Sequence, residues 1–281
     1  MASSMAEPRR RRMEEDEEEE EAEVEEVPGG FTIRPCQRSD FEAVRRLYRE
    51  AAAEQVGTAF RQALRRPAVR TLLSLCAALP CLGLWLGLGP GLWAAATLAG
   101  PALAAASLYG ACLRFGRASA AGPLREDLAD IDGYFLRPRD AGLWVAEVGR
   151  AGPPVGMVAV MAETDGPAGS CELCRLAVAP GLRRRGLGWA LFSRALRFAR
   201  ARGYRLCLIY TSSANPAALP LYKAAGFHLH RAYPPPEVGP LVQLLCQVTD
   251  YVLTLRLSDT HPRVECTAGL GAYNGGMQDA R

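Results

Sequence analysis

The longest uncharged stretch of this chain spans residues 71–113, where no Asp, Glu, Lys or Arg occurs. A transmembrane helix needs about 20 apolar residues, so the stretch is long enough for two such helices. Gly89-Pro90-Gly91 favours a reversal between the halves at residues 71–88 and 92–113. A buried pair of soluble helices would need a polar face, and this stretch provides none. The sequence therefore predicts a membrane hairpin.

Arginines flank the uncharged stretch on both sides. They are Arg61, Arg65, Arg66 and Arg70 before it, and Arg114, Arg117 and Arg125 after it. Basic residues favour the cytosolic face of a membrane, so both ends of the stretch are predicted to lie in the cytosol. A hairpin has both of its ends on one side of the membrane, whereas a single span has them on opposite sides. Because Pro80 and Pro101 interrupt the two halves, a shallow re-entrant insertion is the alternative geometry.

The N-terminal segment is strongly acidic. Residues 14–26 are almost all Glu or Asp and follow four consecutive arginines at positions 9–12. Such a charged block cannot bury apolar area, so we predict a solvated, disordered tail over residues 1–30. The alternatives are an electrostatic contact with a protein partner or a targeting signal. No apolar core follows the arginines closely, which excludes a signal peptide. Residues 259–281 are predicted to form a second disordered tail.

Strand and helix patterns alternate between the two tails, which predicts an α/β domain over residues 31–258. Strand patterns occur at residues 31–35, 143–148, 155–161, 171–179 and 206–210. Ser39-Asp40 is typical of the N-cap of a helix. Residues 124–135 are predicted to form an amphipathic helix with Asp127 on the solvent side.

Residues 176–191 read as a strand, a basic glycine-rich turn and a helix. Pro180-Gly181 ends the strand, and the helix pattern begins at Leu187. Between them, Arg183-x-x-Gly186-x-Gly188 places small residues where backbone N–H groups must approach a ligand closely. Because a helix N-terminus carries unpaired N–H groups and a positive dipole end, the favoured ligand is an anion such as a pyrophosphate. The pattern is neither a dinucleotide fingerprint nor a P-loop.

A second motif, N-x-x-A-x-x-L-Y-x-x-x-G-F, covers residues 215–227. With R-x-x-G-x-G before it, the chain resembles the GNAT superfamily of acetyl-CoA-dependent N-acetyltransferases over residues 31–257. This resemblance implies a mixed central sheet flanked by helices, with the hydrophobic hairpin inserted near the first two helices. The insert, together with similar stretches at residues 58–61, 129–132 and 172–176, narrows the resemblance to the membrane-anchored camello-type branch, which includes cysteine-conjugate and aspartate N-acetyltransferases.

The resemblance assigns roles to the motif residues. It implies that the turn holds the pyrophosphate of acetyl-CoA through Arg183, Arg184, Arg185, Gly186, Leu187 and Gly188. It also implies that Leu176 and Val178 pair through their backbone with the pantetheine arm, and that Asn215 contacts the pantetheine or phosphate end. Tyr222 occupies the position of the general acid that protonates the departing thiolate. The alternative for Tyr222 is a helix tyrosine packed on the core.

Glu172 is the predicted general base. The period of two in a strand places it on one face with Cys174, Leu176 and Val178, where a carboxylate can take the proton of the amine directly or through water. Its alternative is a charge at the exposed start of the strand. Arg175, predicted on the opposite face, either binds a substrate carboxylate or serves as a surface ion-pair partner.

Metal and nucleic-acid binding are not predicted. Cys171 and Cys174 point to opposite faces of a strand, and the sequence has no second CxxC or paired His to complete a metal site. The arginines are spread over several elements without an aromatic stacking platform.

The sequence therefore predicts a membrane-bound enzyme that moves acetyl from acetyl-CoA to the primary amine of a small amino acid or a cysteine S-conjugate, through a ternary complex. The alternatives are a protein-lysine N-acetyltransferase and a catalytically weak membrane adaptor that keeps the same fold. We expect the endoplasmic reticulum or another endomembrane as its location, with the lipid bilayer as a partner and the catalytic domain in the cytosol.

Overall fold

The computed structural model describes residues 24–257, with gaps at residues 86–89, 150–151, 236–242 and 244–246. Most of the two predicted tails therefore lies outside the described residues. So does part of the reversal predicted at Gly89-Pro90-Gly91.

Eight strands in the described part of the chain form one mixed sheet. They are β1 (Glu25–Val27), β2 (Phe31–Pro35), β3 (Gly142–Val148), β4 (Gly156–Ala162), β5 (Ser170–Val178), β6 (Leu206–Ser212), β7 (His228–Tyr233) and β8 (Asp250–Arg256). Their order is β1-β2-β3-β4-β5-β6-β8-β7, and only β5 and β6 are parallel neighbours. The mixed sheet confirms the α/β part of the predicted fold class. β1 falls within the segment predicted as a tail, and it pairs antiparallel with β2.

Five helices accompany the sheet in the described residues. They are α1 (Phe41–Arg65), α2 (Pro67–Trp85), α3 (Pro90–Arg125), α4 (Leu187–Ala201) and α5 (Leu219–Ala224). The sheet buries apolar side chains on both faces. On one face, Leu187, Leu191 and Phe192 of α4 pack over the sheet. On the other face, Val44 and Leu47 of α1 do so.

The uncharged stretch forms most of α2 and α3, which pack against each other. α3 continues through Pro101 and begins at Pro90, a residue predicted to lie in the reversal. Leu108 and Cys112 of α3 are buried in a cluster that also contains Val56 and Ala59 of α1. Among the described residues, no helix combines the length and the apolarity needed to cross a membrane.

The helix predicted at residues 124–135 is wrong in its middle. α3 ends at Arg125, turns follow, and a short π-helical segment spans Asp132–Leu136. Asp127, predicted to face solvent, is buried, because its carboxylate accepts the backbone N–H of Leu128 at 2.9 Å and pairs with Arg175. The carboxylate of Asp127 therefore lies buried beside Arg175 of the sheet, whereas the sequence predicted it in solvent.

Candidate functional site

The parallel strands β5 and β6 separate after a short paired segment. Their pairing runs from Ser170 opposite Leu206 to Glu172 opposite Leu208. Further along, β6 continues beside β8, whereas β5 stays beside β4. Residues 173–178 therefore have no strand partner on the β6 side among the described residues. An unpaired strand edge of this kind offers backbone N–H and C=O groups to an extended ligand.

A bulge in β5 changes which of its side chains point to each face of the sheet. Met157 lies opposite Ala177 and Ala159 opposite Cys174, so β5 has one residue more than β4 across this interval. Arg175, in the bulge, has φ +55°, a left-handed conformation that costs a long side chain about 1–3 kcal/mol.

The bulge overturns the predicted alternation. Cys174 packs in the cluster on the α1 face, whereas Leu176 and Val178 pack against the cluster on the α4 face. The prediction that Glu172, Cys174, Leu176 and Val178 share one face is therefore wrong beyond Cys174. The opposite orientations predicted for Cys171 and Cys174 are confirmed, since Cys171 lies in the cluster on the α4 face.

A cleft of about 360 Å³ lies where β5 and β6 separate. α1 and the C-terminal part of α3 form one wall, with Tyr48 and Phe115 among the contributing side chains. The predicted site residues that line the cleft are Glu172, Leu176, Asn215 and Tyr222. Val178 and the basic turn do not line it, because they lie at and beyond the end of β5.

Glu172 of β5 lines this cleft, as does a second carboxyl residue, Asp250, at the start of β8. Burial raises the pKa of Glu172 to about 7, against the opposing charge of Arg175, and the charges of Glu163 and Asp127 act in the same direction as burial. A carboxylate that changes charge near neutral pH is well matched to removing a proton at that pH.

Tyr222 is compatible with both interpretations given by the sequence, the general acid and the tyrosine packed on the core. It is 5% exposed and packs on Phe192 and Phe227, with ring centroids 5.9 and 6.3 Å away. It also contributes to the wall of the cleft. Burial raises the pKa of its phenol above the usual range, so the hydroxyl keeps a proton that it can donate.

The basic turn has the geometry of an anion site. Arg184 has φ +64°, and Gly186, the N-cap of α4, has φ +84°. Left-handed residues in such a turn direct successive N–H groups toward one point, at the positive end of the helix dipole. A Cβ added at Gly188 would lie 3.7 Å from Leu221 and 3.8 Å from Val178, so packing within the protein does not require glycine there. The turn therefore fits a pyrophosphate.

Arg183 of this turn already has partners within the protein. Its Nη1 and Nη2 donate to the two carboxylate oxygens of Glu54 in α1, at 2.8 and 2.7 Å. Its Nε donates to the carbonyl oxygen of Val178 at 2.8 Å. No sequence motif pointed to Glu54, because only the tertiary structure brings α1 beside the turn.

Comparisons with known proteins agree with this geometry. The protein-family model described as "Acetyltransferase (GNAT) family" matches residues 106–227 of this chain. N-acetyltransferase 8 of Rattus norvegicus is 34% identical over 210 residues, which cover 70% of this chain and 86% of that protein. The chain belongs to the GNAT acetyltransferase family.

Two further relatives match the camello-type branch predicted from the sequence. N-acetylaspartate synthetase of Homo sapiens is 31% identical over 203 residues, covering 71% of this chain and 64% of that protein. The protein named "Probable N-acetyltransferase camello" of Xenopus laevis is 30% identical over 199 residues, covering 70% of this chain and 85% of that protein.

This GNAT protein is therefore an acetyl-CoA-dependent N-acetyltransferase, with acetyl-CoA as co-substrate. The described part of the chain holds no group of three or more His, Cys, Asp or Glu side chains that could bind a metal ion.

Replacing Glu172 of this GNAT enzyme by Gln should affect activity and stability in opposite directions. Activity should fall about 10²–10⁴-fold, and the rise in kcat/KM with pH around pH 7 should disappear. Since the folded-state pKa lies above the unfolded value, ionised Glu172 destabilises the fold as pH rises from about 4.5 to 7. The free energy of unfolding of the Glu172→Gln variant should therefore exceed that of the wild type by roughly 1–3 kcal/mol at pH 8 and equal it at pH 4. Urea unfolding at the two pH values, with an activity profile, measures both effects. Unchanged activity would exclude Glu172 as the base.

Proposed function

We propose that this GNAT enzyme transfers acetyl from acetyl-CoA to the primary amine of a small amino acid or a cysteine S-conjugate within a ternary complex. The observation that carries the proposal is that a carboxyl group with a pKa near 7 and a protonated tyrosine line one cleft beside the unpaired edge of β5. The name of the human relative, N-acetylaspartate synthetase, supports an amino acid as acceptor.

The basic turn and the edge of β5 provide the proposed acetyl-CoA site. Backbone N–H groups between Arg183 and Gly188 would bind the pyrophosphate, with the exposed Arg184 and Arg185 adding positive charge. Leu176 and Val178 would pair through their backbone with pantetheine, and Asn215 would contact it from the loop after β6. This assignment follows the direction of β5, which leads from the cleft to the turn.

The proposed chemistry uses two side chains. Glu172 takes a proton from the ammonium group of the acceptor, which leaves a neutral nitrogen with a free electron pair. That nitrogen attacks the thioester carbonyl carbon, and the new C–N bond leaves the nitrogen positively charged. It loses its second proton to solvent as the C–S bond breaks, which gives the neutral amide. Tyr222 donates its phenolic proton to the departing thiolate, and proton exchange with solvent restores both groups.

Replacing Tyr222 by Phe should separate catalysis from binding. We expect kcat to fall about 10²–10⁴-fold, because the thiolate loses its proton donor, while acetyl-CoA affinity changes little. Tyr134→Phe is the matched control, since Tyr134 is exposed and lies outside the cleft.

The rates are measured as release of CoA thiol with aspartate, S-benzylcysteine or a lysine peptide as the acceptor. An unchanged Tyr222→Phe rate contradicts the acid role, and turnover of the peptide alone indicates a protein-lysine enzyme. Absence of turnover with every amine, together with absence of acetyl-CoA binding, would indicate a membrane adaptor.

The ion pair between Glu54 and Arg183 should compete with the pyrophosphate. Both side chains are partly exposed, and the guanidinium of Arg183 lowers the pKa of Glu54, so the pair is charged at neutral pH. Glu54→Gln should lower the Kd for CoA by about 3- to 10-fold, since Arg183 is released. Arg183→Gln should raise that Kd by at least about 10-fold. Glu42→Gln, at a surface pair with Arg45, is the control. Calorimetric titration that finds equal affinities for the three variants and the wild type would contradict the assignment.

We also propose that the insert attaches the enzyme to a membrane, with the catalytic domain on the cytosolic side. Among the side chains that the structure describes, four large apolar or aromatic ones of α2 and α3 are exposed, namely Leu72, Leu75, Leu103 and Tyr109. The seven arginines that flank the insert are also exposed, where they can contact anionic headgroups. The hairpin and the re-entrant insertion are the two geometries considered, and the endoplasmic reticulum or another endomembrane is the proposed location.

Membrane attachment should depend on these exposed apolar side chains. Flotation with vesicles of phosphatidylcholine and phosphatidylserine should recover the wild-type protein with lipid. The double substitution of Leu75→Glu and Leu103→Glu should lower the bound fraction at least about 10-fold, because two apolar side chains no longer enter the bilayer. Leu229→Glu is the control, since Leu229 is exposed on β7, away from the insert. Equal flotation of the wild type and the double variant would contradict the proposal.

A further inference from the structure

Arg175 lies in the bulge of β5 and its side chain lines the cleft, three positions after Glu172. Its left-handed backbone conformation is strained for a long side chain, and a bulge redirects the side chain it carries. The sequence placed Arg175 on the face opposite Glu172, whereas the structure brings both residues to one cleft. Strain at such a position is found where the structure around it uses the redirected side chain.

The guanidinium of Arg175 is fixed in place, but within the described residues only one of its three nitrogens has a hydrogen-bond partner. Nε donates to Asp127 Oδ2 at 2.7 Å, and Cζ lies 5.6 Å from the ring centroid of Tyr48. The other oxygen of Asp127 accepts the backbone N–H of Leu128 at 2.9 Å. No acceptor for Nη1 or Nη2 occurs within the described ranges of the chain. These two nitrogens form a planar donor pair that matches a carboxylate.

The opposite charges of Glu172 and Arg175 match the ammonium and carboxylate groups of a free amino acid. Glu172 and Arg175 both line the cleft where β5 and β6 separate. An amino acid carries its ammonium and its carboxylate on one carbon atom. The Arg175 side chain is 21% exposed, so water can reach its free donors, and an acceptor without the carboxylate would displace that water without replacing its hydrogen bonds, which disfavours binding of such an acceptor.

We propose that Arg175 binds the α-carboxylate of the acceptor through Nη1 and Nη2, while Glu172 receives the proton of the α-ammonium group. Asp127 and Tyr48 are positioning residues that hold the guanidinium in the orientation this requires. The inference rests on the proposed function, since it assigns the acceptor end of the same cleft. It selects free amino acids over simple amines and over lysine side chains, whose amine has no neighbouring carboxylate.

The test uses two acceptors that differ by one group, S-benzyl-L-cysteine and S-benzylcysteamine, which lacks only the carboxylate. Wild-type enzyme should prefer the amino acid at least about 100-fold in kcat/KM. The assays are run at pH 9, where Glu172 is ionised with or without the charge of Arg175. There Arg175→Gln should lower kcat/KM for the amino acid about 100-fold, mainly through KM, and lower kcat/KM for the amine by a much smaller factor. Arg175→Lys should recover part of the preference, since a lysine retains the charge without the planar donor pair.

Arg38→Gln is the matched control, because Arg38 pairs with Asp132 at the surface, outside the cleft. It should leave both acceptors unaffected. Equal use of the two acceptors by the wild type overturns the proposal, even if Arg175→Gln does not fold. An equal loss of both activities in a variant that still binds CoA also overturns it.

A wild-type protein that acetylates neither acceptor contradicts the proposed function, and binding then decides on Arg175 separately. Calorimetric titration of the CoA-loaded protein with each acceptor provides that measurement. Tighter binding of S-benzyl-L-cysteine, lost in Arg175→Gln, supports the carboxylate site. Equal or absent binding of both contradicts it.

Discussion

The separation of β5 from β6 is the constraint on which the rest of the site depends. The two strands pair only as far as Glu172, although on their other edges β6 stays paired with β8 and β5 with β4. Where the parallel pairing ends, a wedge-shaped gap opens between the two strands, and the described residues do not fill the opening of this gap. The cleft therefore results from strand pairing itself, and the cores on both faces of the sheet hold it open.

The bulge at Arg175 gives this wedge its chemistry. Without the extra residue, regular alternation would turn Arg175 away from Glu172 and leave Asp127 without its partner. With it, the carboxyl group of Glu172, the guanidinium of Arg175 and the phenol of Tyr222 line the same cleft. The cleft wall formed by α1 and α3 also links this chemistry to the uncharged insert, because α3 begins in that insert and ends beside the cleft. Membrane attachment and acceptor access would thus involve one helix.

The sequence was sufficient for features that depend on local patterns. Strand periodicity located β2 to β6, and the glycine spacing located the turn before α4, because left-handed residues and helix N-termini leave a local signature. It failed where tertiary contacts override local pattern. The period of two cannot reveal an extra residue in β5, and the polarity of Asp127 predicted exposure where an ion pair with Arg175 compensates its burial. Glu54 was missed for the same reason, since its partner lies far away along the chain.

A crystal structure of the enzyme with bound CoA tests the central claim most directly. The account predicts pantetheine along residues 173–178 of β5, the pyrophosphate on the N–H groups of the turn before α4, and the sulfur within hydrogen-bond distance of the Tyr222 hydroxyl. CoA bound away from the gap between β5 and β6, or a sulfur remote from Tyr222, would contradict it.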